Sequence, residues 1–370
     1  MKVMQVLPEL TSGGVEQVTI GLAEHLVAQG HQSIVVSNGG KLVLGLTENG
    51  STHLQREVHK KSLLSLRHVP ALRNLLRAEQ PDILHLRSRA PAWLFYLAWK
   101  GLPPTERPRL VTTVHGLYSV NRYSRIMTRG EVVICVSQAV KQYVLQNYPD
   151  TSPDRLEICY EGISREDFSS EFRPAESWKE KWYQEFPQTA GKRLIALPGR
   201  LTRLKGHHTF LKLIATLRSN NPQVHGLIVG GAHPKKEGYL DELRKEVQAQ
   251  GLAESITFTG KRSDLREVLS LADLSLSLSE KPESFGLTIL EALALGTPVI
   301  AYDEGGASEI LAKLCPAGAI PRDDFAALVE RAGNFLHSPP EIAPNNDFLA
   351  DTSHRKTEKI YQDLLHSPRR

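Results

Sequence analysis

The feature that most constrains this chain is an alternation: short apolar runs of strand length follow helical patterns from one end to the other. Val3–Leu7 is an apolar run, followed by Gly13-Gly14 and a helical stretch from Val15 to Gln29, and Ser33–Ser37 reads as the next strand. Leu63–Arg77 has helical spacing, Ile83–Leu86 is strand-like, and Pro91–Lys100 opens with proline where helices tolerate it. Leu110–His115 and Val132–Val136 are further strands, the second running into a helix at 137–147. The pattern lapses over 169–191, then restarts with strands at Leu194–Leu197, Val224–Val229, Ile256–Thr259, Leu274–Leu278 and Val299–Tyr302. Helical stretches at 206–219, 237–250, 263–271 and 286–295 lie between them. Repeated strand–helix units imply parallel sheet covered by helices on both faces, a doubly wound α/β class. A length of 370 residues is long for one hydrophobic core, so two such domains are expected. The expected division is 1–175, a connection at 176–192, a second domain at 193–344, and a last helical segment at 345–370 that packs back on the first domain.

Composition narrows the class. Hydrophobic residues make up 41% and charged residues 23%, ordinary for a globular protein. Cys135, Cys159 and Cys315 are odd in number, far apart and without a CxxC pair, so neither a zinc site nor a disulfide framework is expected. Pro8 and Glu9 interrupt the first apolar run, which argues against a signal peptide, and Ala92–Trp99 is too short to span a bilayer. A cytoplasmic protein, at most peripheral to a membrane, is the expectation. The net charge of +4 is unevenly spread: from Arg56 to Arg129 there are 14 Lys/Arg and 4 Asp/Glu. Such a span attracts an anionic partner, or it is simply the solvated face of a few helices.

Three constellations carry chemistry. Gly13-Gly14, between the first strand and helix, lets the backbone approach a ligand at a helix N-terminus. It lacks the third glycine of a dinucleotide fingerprint, and strand two ends in Ser37-Asn38-Gly39-Gly40 without an acid, which counts against a simple dehydrogenase. The run Gly199-Arg200-Leu201-Thr202-Arg203-Leu204-Lys205-Gly206 places two cations around a loop that opens a helix. Bases there oppose the helix dipole, so an anion between them makes better sense of Arg200 and Lys205 than solvent does. The third run is Glu283-Ser284-Phe285-Gly286-Leu287-Thr288-Ile289-Leu290-Glu291. Here Glu283 is expected in a loop, the Gly286–Thr288 amides at a helix start, and Glu291 inside the helix, where an unpartnered carboxylate is costly.

GRLxxxKG followed by two glutamates eight apart resembles the retaining family 4 glycosyltransferases of GT-B fold, in which two Rossmann-like doubly wound domains face each other across a cleft. Leu227–Gly231, Thr257-Phe258-Thr259-Gly260, Ala272–Ser279 and Gly296-Thr297-Pro298-Val299-Ile300 extend the likeness over nearly the whole second domain. Gly13-Gly14-Val15-Glu16, Pro81–His85 and Val114-His115-Gly116 carry it more loosely in the first. The resemblance implies that Arg200 and Lys205, beside Gly199, bind the donor diphosphate and that Glu291 holds the ribose. It gives Glu283, with the backbone of Ser284, Phe285 and Gly286, to the transferred sugar. The Leu287 and Thr288 amides go to the distal phosphate, and Lys261 and Arg262 lie near the base. His115 reaches the sugar from the first domain, and Gly13 and Gly14 complete the donor set. The implied reaction is metal-independent, with no cofactor, and moves a sugar, most often from a UDP-sugar, to a glycan or lipid-linked acceptor of lipopolysaccharide or cell-surface polysaccharide.

Two positions depart from the family pattern: Tyr160-Glu161-Gly162 replaces an Asn-Gly turn, and His85-Leu86-Arg87 replaces His-x-His. A sugar-nucleotide epimerase of the same fold, and a non-catalytic nucleotide-sugar-binding protein, are the competing readings. Nucleic acid is not an expected partner, because the basic span lacks the aromatic interleaving of an RNA-reading module. Contact with an anionic membrane surface is the expected alternative use of that span, with 63–77 read as one amphipathic helix.

Overall fold

The computed structural model describes residues 1–11, 13–232 and 238–368, and these fall into two compact units that divide at 162/163 and again at 346/347, the segment from 347 returning to the first. Unit 1 runs β1 (Lys2–Val6), α1 (Gly14–Ala28), β2 (Gln32–Ser37), α2 (Val43–Glu48), β3 (Thr52–Gln55), α3 (Val69–Glu79), β4 (Ile83–Leu86), α4 (Arg89–Lys100), β5 (Arg109–Val114), β6 (Val132–Cys135), α5 (Gln138–Asn147) and β7 (Leu156–Ile158). Its seven parallel strands lie in the order β3-β2-β1-β4-β5-β6-β7. Strands covered on both faces need near-continuous apolar runs, and β4 and β5 are buried at every position.

Unit 2 runs α6 (Glu176–Glu185), β8 (Arg193–Pro198), α7 (His207–Asn220), β9 (Val224–Val229), α8 (Gly238–Ala249), β10 (Ile256–Gly260), α9 (Leu265–Leu271), β11 (Leu274–Ser277), α10 (Leu287–Ala294), β12 (Val299–Tyr302), α11 (Gly305–Leu314), β13 (Ala319–Ile320) and α12 (Phe325–His337). Its six parallel strands lie in the order β10-β9-β8-β11-β12-β13. The expected start of α8 at 237 lies outside the described residues. Asp324 caps α12 by accepting from the Ala327 amide at 2.8 Å.

The segment 176–192, expected as a connection, is instead mostly the helix α6. Trp182 is buried with Leu194, Ala196, Leu227 and Val268, which makes the segment part of unit 2's core. Its low overall hydropathy hid a single anchoring face. The chain then returns to unit 1 as α13 (Ala350–His366), where Ile360, Tyr361 and Leu364 join Val3, Leu22, Ile83 and Val111 in one core. Unit 1 is therefore closed by the two ends of the chain.

The basic span differs from its expected form. Residues 63–77 are not one helix: Leu63–His68 is a 3₁₀ turn, and α3 begins at Val69. Leu72, Leu75 and Leu76 face the core, while Leu63, Leu64 and Leu66 do not.

Candidate functional site

In an open α/β sheet, ligands bind beyond the carboxyl ends of the strands, where the strand order reverses. In unit 2 that point lies between β8 and β11. The loop leaving β8 is 199–206 and the loop leaving β11 is 278–286, so the two motifs found in sequence occupy the two sides of one switch point. The loops touch closely at Gly206: its φ is 71°, and a Cβ there would lie 2.1 Å from the Leu278 carbonyl oxygen. Only glycine satisfies both the left-handed backbone and that approach.

Across this junction the Lys205 ammonium donates to Glu283 Oε1 at 2.6 Å, with both side chains about a quarter exposed. The Ser279 hydroxyl donates to the same carboxylate. Glu283 is held from behind as well, since its carbonyl accepts the Gly306 amide at 2.8 Å. Gly305 and Gly306 permit this fit: a Cβ on Gly305 would meet the Glu283 oxygen at 2.3 Å, and one on Gly306 would meet Phe285 Cα at 2.4 Å. Sequence reasoning missed Ser279, Gly305 and Gly306; the Gly-Gly pair opening a helix after β12 was the available signal.

Gly286, with φ 116°, precedes α10, which has no side-chain cap. Its carbonyl takes the Ile289 and Leu290 amides, so among the described residues those of Leu287 and Thr288 are the first-turn amides with no backbone acceptor. One turn further in lies Glu291. Among the described residues its carboxylate meets no hydrogen-bond donor or cation, and loss of water on burial pushes its pKa from 4.5 to about 7. A half-buried acid flanked directly by the fully buried Leu290 and Ala292, and unpartnered among the described residues, is an unsatisfied acceptor awaiting donors.

Arg200 is exposed and free of a partner among the described residues, as is Lys261. The β8, β9 and β10 ends converge here. A Cβ on Gly230 would overlap the Gly199 oxygen at 1.8 Å, and one on Gly231 would sit 3.1 Å from Lys261 Cβ. Gly199, Arg200, Lys205, Lys261, Glu283–Thr288 and Glu291 thus share the carboxyl edge of one sheet. Arg262 does not join them. It forks onto Asp264 at 2.7 and 2.9 Å, donates to Glu185 at 3.0 and 3.1 Å, and lies over the Trp182 ring. Its hydrogen bonds to Asp264 hold its pKa above the ordinary arginine value. This side chain fastens α6 to the β10–α9 loop rather than facing a base, because α6, unforeseen in sequence, brought the partners.

The remaining expected residues belong to unit 1. Gly13, with φ 154°, precedes α1, and the Glu16 carboxylate folds back so that a Cβ on Gly13 would lie 2.6 Å from it. Gly14 is the exposed first residue of α1. With its own acid at the helix start, this turn is a poorer anion site than α10. His115 follows β5, and its Nδ1 is 2.7 Å from Glu161 Oε1, both side chains being nearly buried. Burial lowers the His115 pKa, and the Glu161 hydrogen bond opposes that shift.

The two family departures lie near enough to feel each other's charge. Arg87 is buried, donates to Gln5 Oε1 at 2.8 Å, and has Glu161 among the charges that favour its cationic form. His85 is a core residue between Tyr361 and Thr113, at 2.6 Å from each hydroxyl.

A hollow of about 800 Å³ also opens at the opposite, amino-terminal edge of the unit 1 sheet, by Gln80, Asp82 and Arg109. Its cations are engaged: Arg77 with Glu106, Arg109 with Glu131, and Arg107 with backbone carbonyls. Among the described residues no group of three or more His, Cys, Asp or Glu is placed to hold a metal ion.

Residues 179–347 match the family of glycosyl transferases group 1, and residues 12–167 match glycosyltransferase family 4. The chain is 26% identical over 251 residues, 65% of its length and 68% of the relative's, to the lipopolysaccharide core biosynthesis mannosyltransferase LpsB of Rhizobium meliloti. Among solved structures it is similar to a glycosyltransferase from Rickettsia africae, with a TM-score of 0.81 and 27% identity over 99% of each chain. The Anabaena protein HepE, solved in complex with UDP and glucose, shares the fold with a TM-score of 0.80 at 20% identity, over 98% of this chain and 100% of that one.

Proposed function

The chain belongs to the family 4 glycosyltransferases of GT-B fold, and from that premise we propose that it moves a sugar from a nucleotide-sugar donor to a glycan or lipid-linked acceptor with retention of anomeric configuration. The observation that carries this reading is the pairing, at one switch point, of Lys205 with Glu283 beside an unpartnered Glu291.

A nucleoside diphosphate sugar presents a ribose diol, two phosphates and a hydroxyl-rich ring in sequence. Glu291 accepts the diol, which supplies the donors the isolated carboxylate lacks. Arg200 and Lys205 grip the diphosphate, and the Leu287 and Thr288 amides add the positive end of α10. Glu283, kept in place by Ser279 and Lys205, accepts hydroxyls of the transferred sugar. Lys261 lies toward the base, where UDP is the proposed nucleotide.

As the bond between the anomeric carbon and the diphosphate oxygen breaks, negative charge grows on the leaving group. Arg200 and Lys205, brought onto that group, lower the barrier by balancing the growing charge. The acceptor hydroxyl attacks from the same face and gives its proton to the departing phosphate oxygen, so the charges balance with no enzyme nucleophile. Arg200 and Lys205 take the part a divalent metal plays elsewhere.

The acceptor is proposed to be lipopolysaccharide core or another cell-surface glycan, the class named for the Rhizobium relative. The reaction then takes place in the cytoplasm, at the inner face of the cytoplasmic membrane; no helix among the described residues is long and apolar enough to cross one. The test is a panel of nucleotide sugars, scored for nucleotide release with and without EDTA. Release from a UDP-sugar undiminished by EDTA is expected. Release abolished by EDTA and restored by a divalent ion overturns the two-cation mechanism.

A further inference from the structure

Leu63–His68 is built inside out. Ser62 caps the turn, its hydroxyl accepting the Leu64 amide at 3.2 Å, and Ser65 is buried with its hydroxyl on the Lys60 carbonyl at 3.2 Å. Val58, just before the turn, is fully buried. The leucines, in contrast, face solvent: Leu63 is 85% exposed, Leu64 75% and Leu66 43%. A fold seldom gives the one buried place in a turn to a serine, here Ser65, and leaves three leucines in water, and clustered exposed apolar side chains mark a contact surface.

The rim of this turn is cationic. Arg56, Lys60, Lys61 and Arg67 are exposed around it, with Glu57 as the single acid between 56 and 68. The Lys61 ammonium sits 4.3 Å from the Tyr123 ring centre, which ties the turn to a second exposed loop carrying Val120 and Arg122.

We propose that this turn is a membrane-docking wedge, with Leu63, Leu64 and Leu66 inserted among the acyl chains of an anionic bilayer while Lys60, Lys61, Arg67 and Arg122 meet its headgroups. The shape favours a bilayer over a protein groove. The leucines are knobs on a tight turn that offers no flat face, and a fluid interface accepts knobs where a protein needs matching holes. The charge favours an anionic surface, since lysine and arginine stems lie along apolar contact while their heads reach phosphates. The inference deepens the reading of a lipid-linked acceptor, on which it rests for its purpose; its test needs neither donor nor acceptor.

The full chain is floated with vesicles of phosphatidylcholine alone and with phosphatidylglycerol mixed in. Binding is expected only with the anionic lipid and should fall as salt rises. Leu63→Ser with Leu64→Ser should lower partitioning about tenfold or more. Lys60→Glu with Lys61→Glu should lower it by about fivefold or more for each residue. Both double variants change exposed positions, so melting temperature and nucleotide release from a soluble donor should match the parent. Failure of the parent to float overturns the wedge, whatever its transferase activity. So does a leucine variant that floats as well as the parent. Self-association abolished by the leucine changes, without flotation, assigns the surface to a second copy instead. Flotation with no nucleotide release from any donor keeps the wedge and sinks the transferase reading.

Discussion

Glu291→Gln separates the cost of a site from its use. In the free protein the carboxylate is deprived of water and given no partner, and its pKa rises from 4.5 to about 7. A folded-state pKa raised above the unfolded value means that the unfolded chain ionises more readily. Below pH 4.5 the acid is neutral in both states and costs nothing. As pH climbs from 4.5 through 7 the folded state loses stability, and above 7 the loss is complete. The shift corresponds to about 3 kcal/mol if the carboxylate were fully desolvated, and to about half of that for a side chain that keeps some contact with water. Glutamine keeps the shape and removes the charge, so the variant should gain about 1.5 kcal/mol at pH 8 and nothing at pH 4.5. For a unit of this size that is roughly 3–6 °C in melting temperature.

Binding should move the other way. A ribose diol hydrogen-bonds best to the ionised carboxylate, so nucleotide affinity in the parent should weaken as pH falls below about 7. Glutamine should show a flat profile and a smaller nucleotide-induced rise in melting temperature. Scanning fluorimetry at the two pH values, with and without UDP, reads both effects. A variant less stable than the parent at pH 8 would show that Glu291 has a hidden structural partner. Equal stabilisation of both proteins by UDP would remove the ribose role.

Three further outcomes follow from the same geometry. Arg200→Ala should leave melting temperature unchanged, because the side chain is exposed and without a partner among the described residues, yet cut turnover about 10²–10³-fold; an unchanged rate refutes its role at the diphosphate. Arg262→Ala should do the reverse, costing about 1–3 kcal/mol by urea unfolding while donor KM stays near the parent value, because its guanidinium is engaged by Asp264 and Glu185. Gly206→Ala should destabilise unit 2 by more than about 2 kcal/mol, since the backbone is left-handed and the Leu278 oxygen occupies the place of the methyl; calorimetry with a melting temperature equal to the parent's contradicts that fit.

The two sheets, their helices and the glycine- and glutamate-bearing loops were legible in the sequence because they are set locally. An apolar run of strand length followed by a helical period needs only a few neighbouring residues, and in a parallel sheet every such unit ends with its loop at the same edge. That put the loops carrying Arg200 and Lys205, and Glu283, at one sheet edge, while the role of each of them and of Glu291 came from the family resemblance. Partner choice is not local. Arg262 looked as available as Lys261 until α6 brought Glu185 against it, and Glu161 and Arg87 looked like unrelated departures until the ends of β4 and β7 brought their charges within reach of each other. The same holds for the leucines of 63–76. Their spacing suits a single amphipathic helix, but a 3₁₀ turn with Ser65 on its buried side leaves Leu63, Leu64 and Leu66 facing outward. Sequence sets which backbone shapes are cheap; only tertiary structure decides which side chains lose water together, and burial and pairing govern both the charge of a carboxylate and the freedom of a cation.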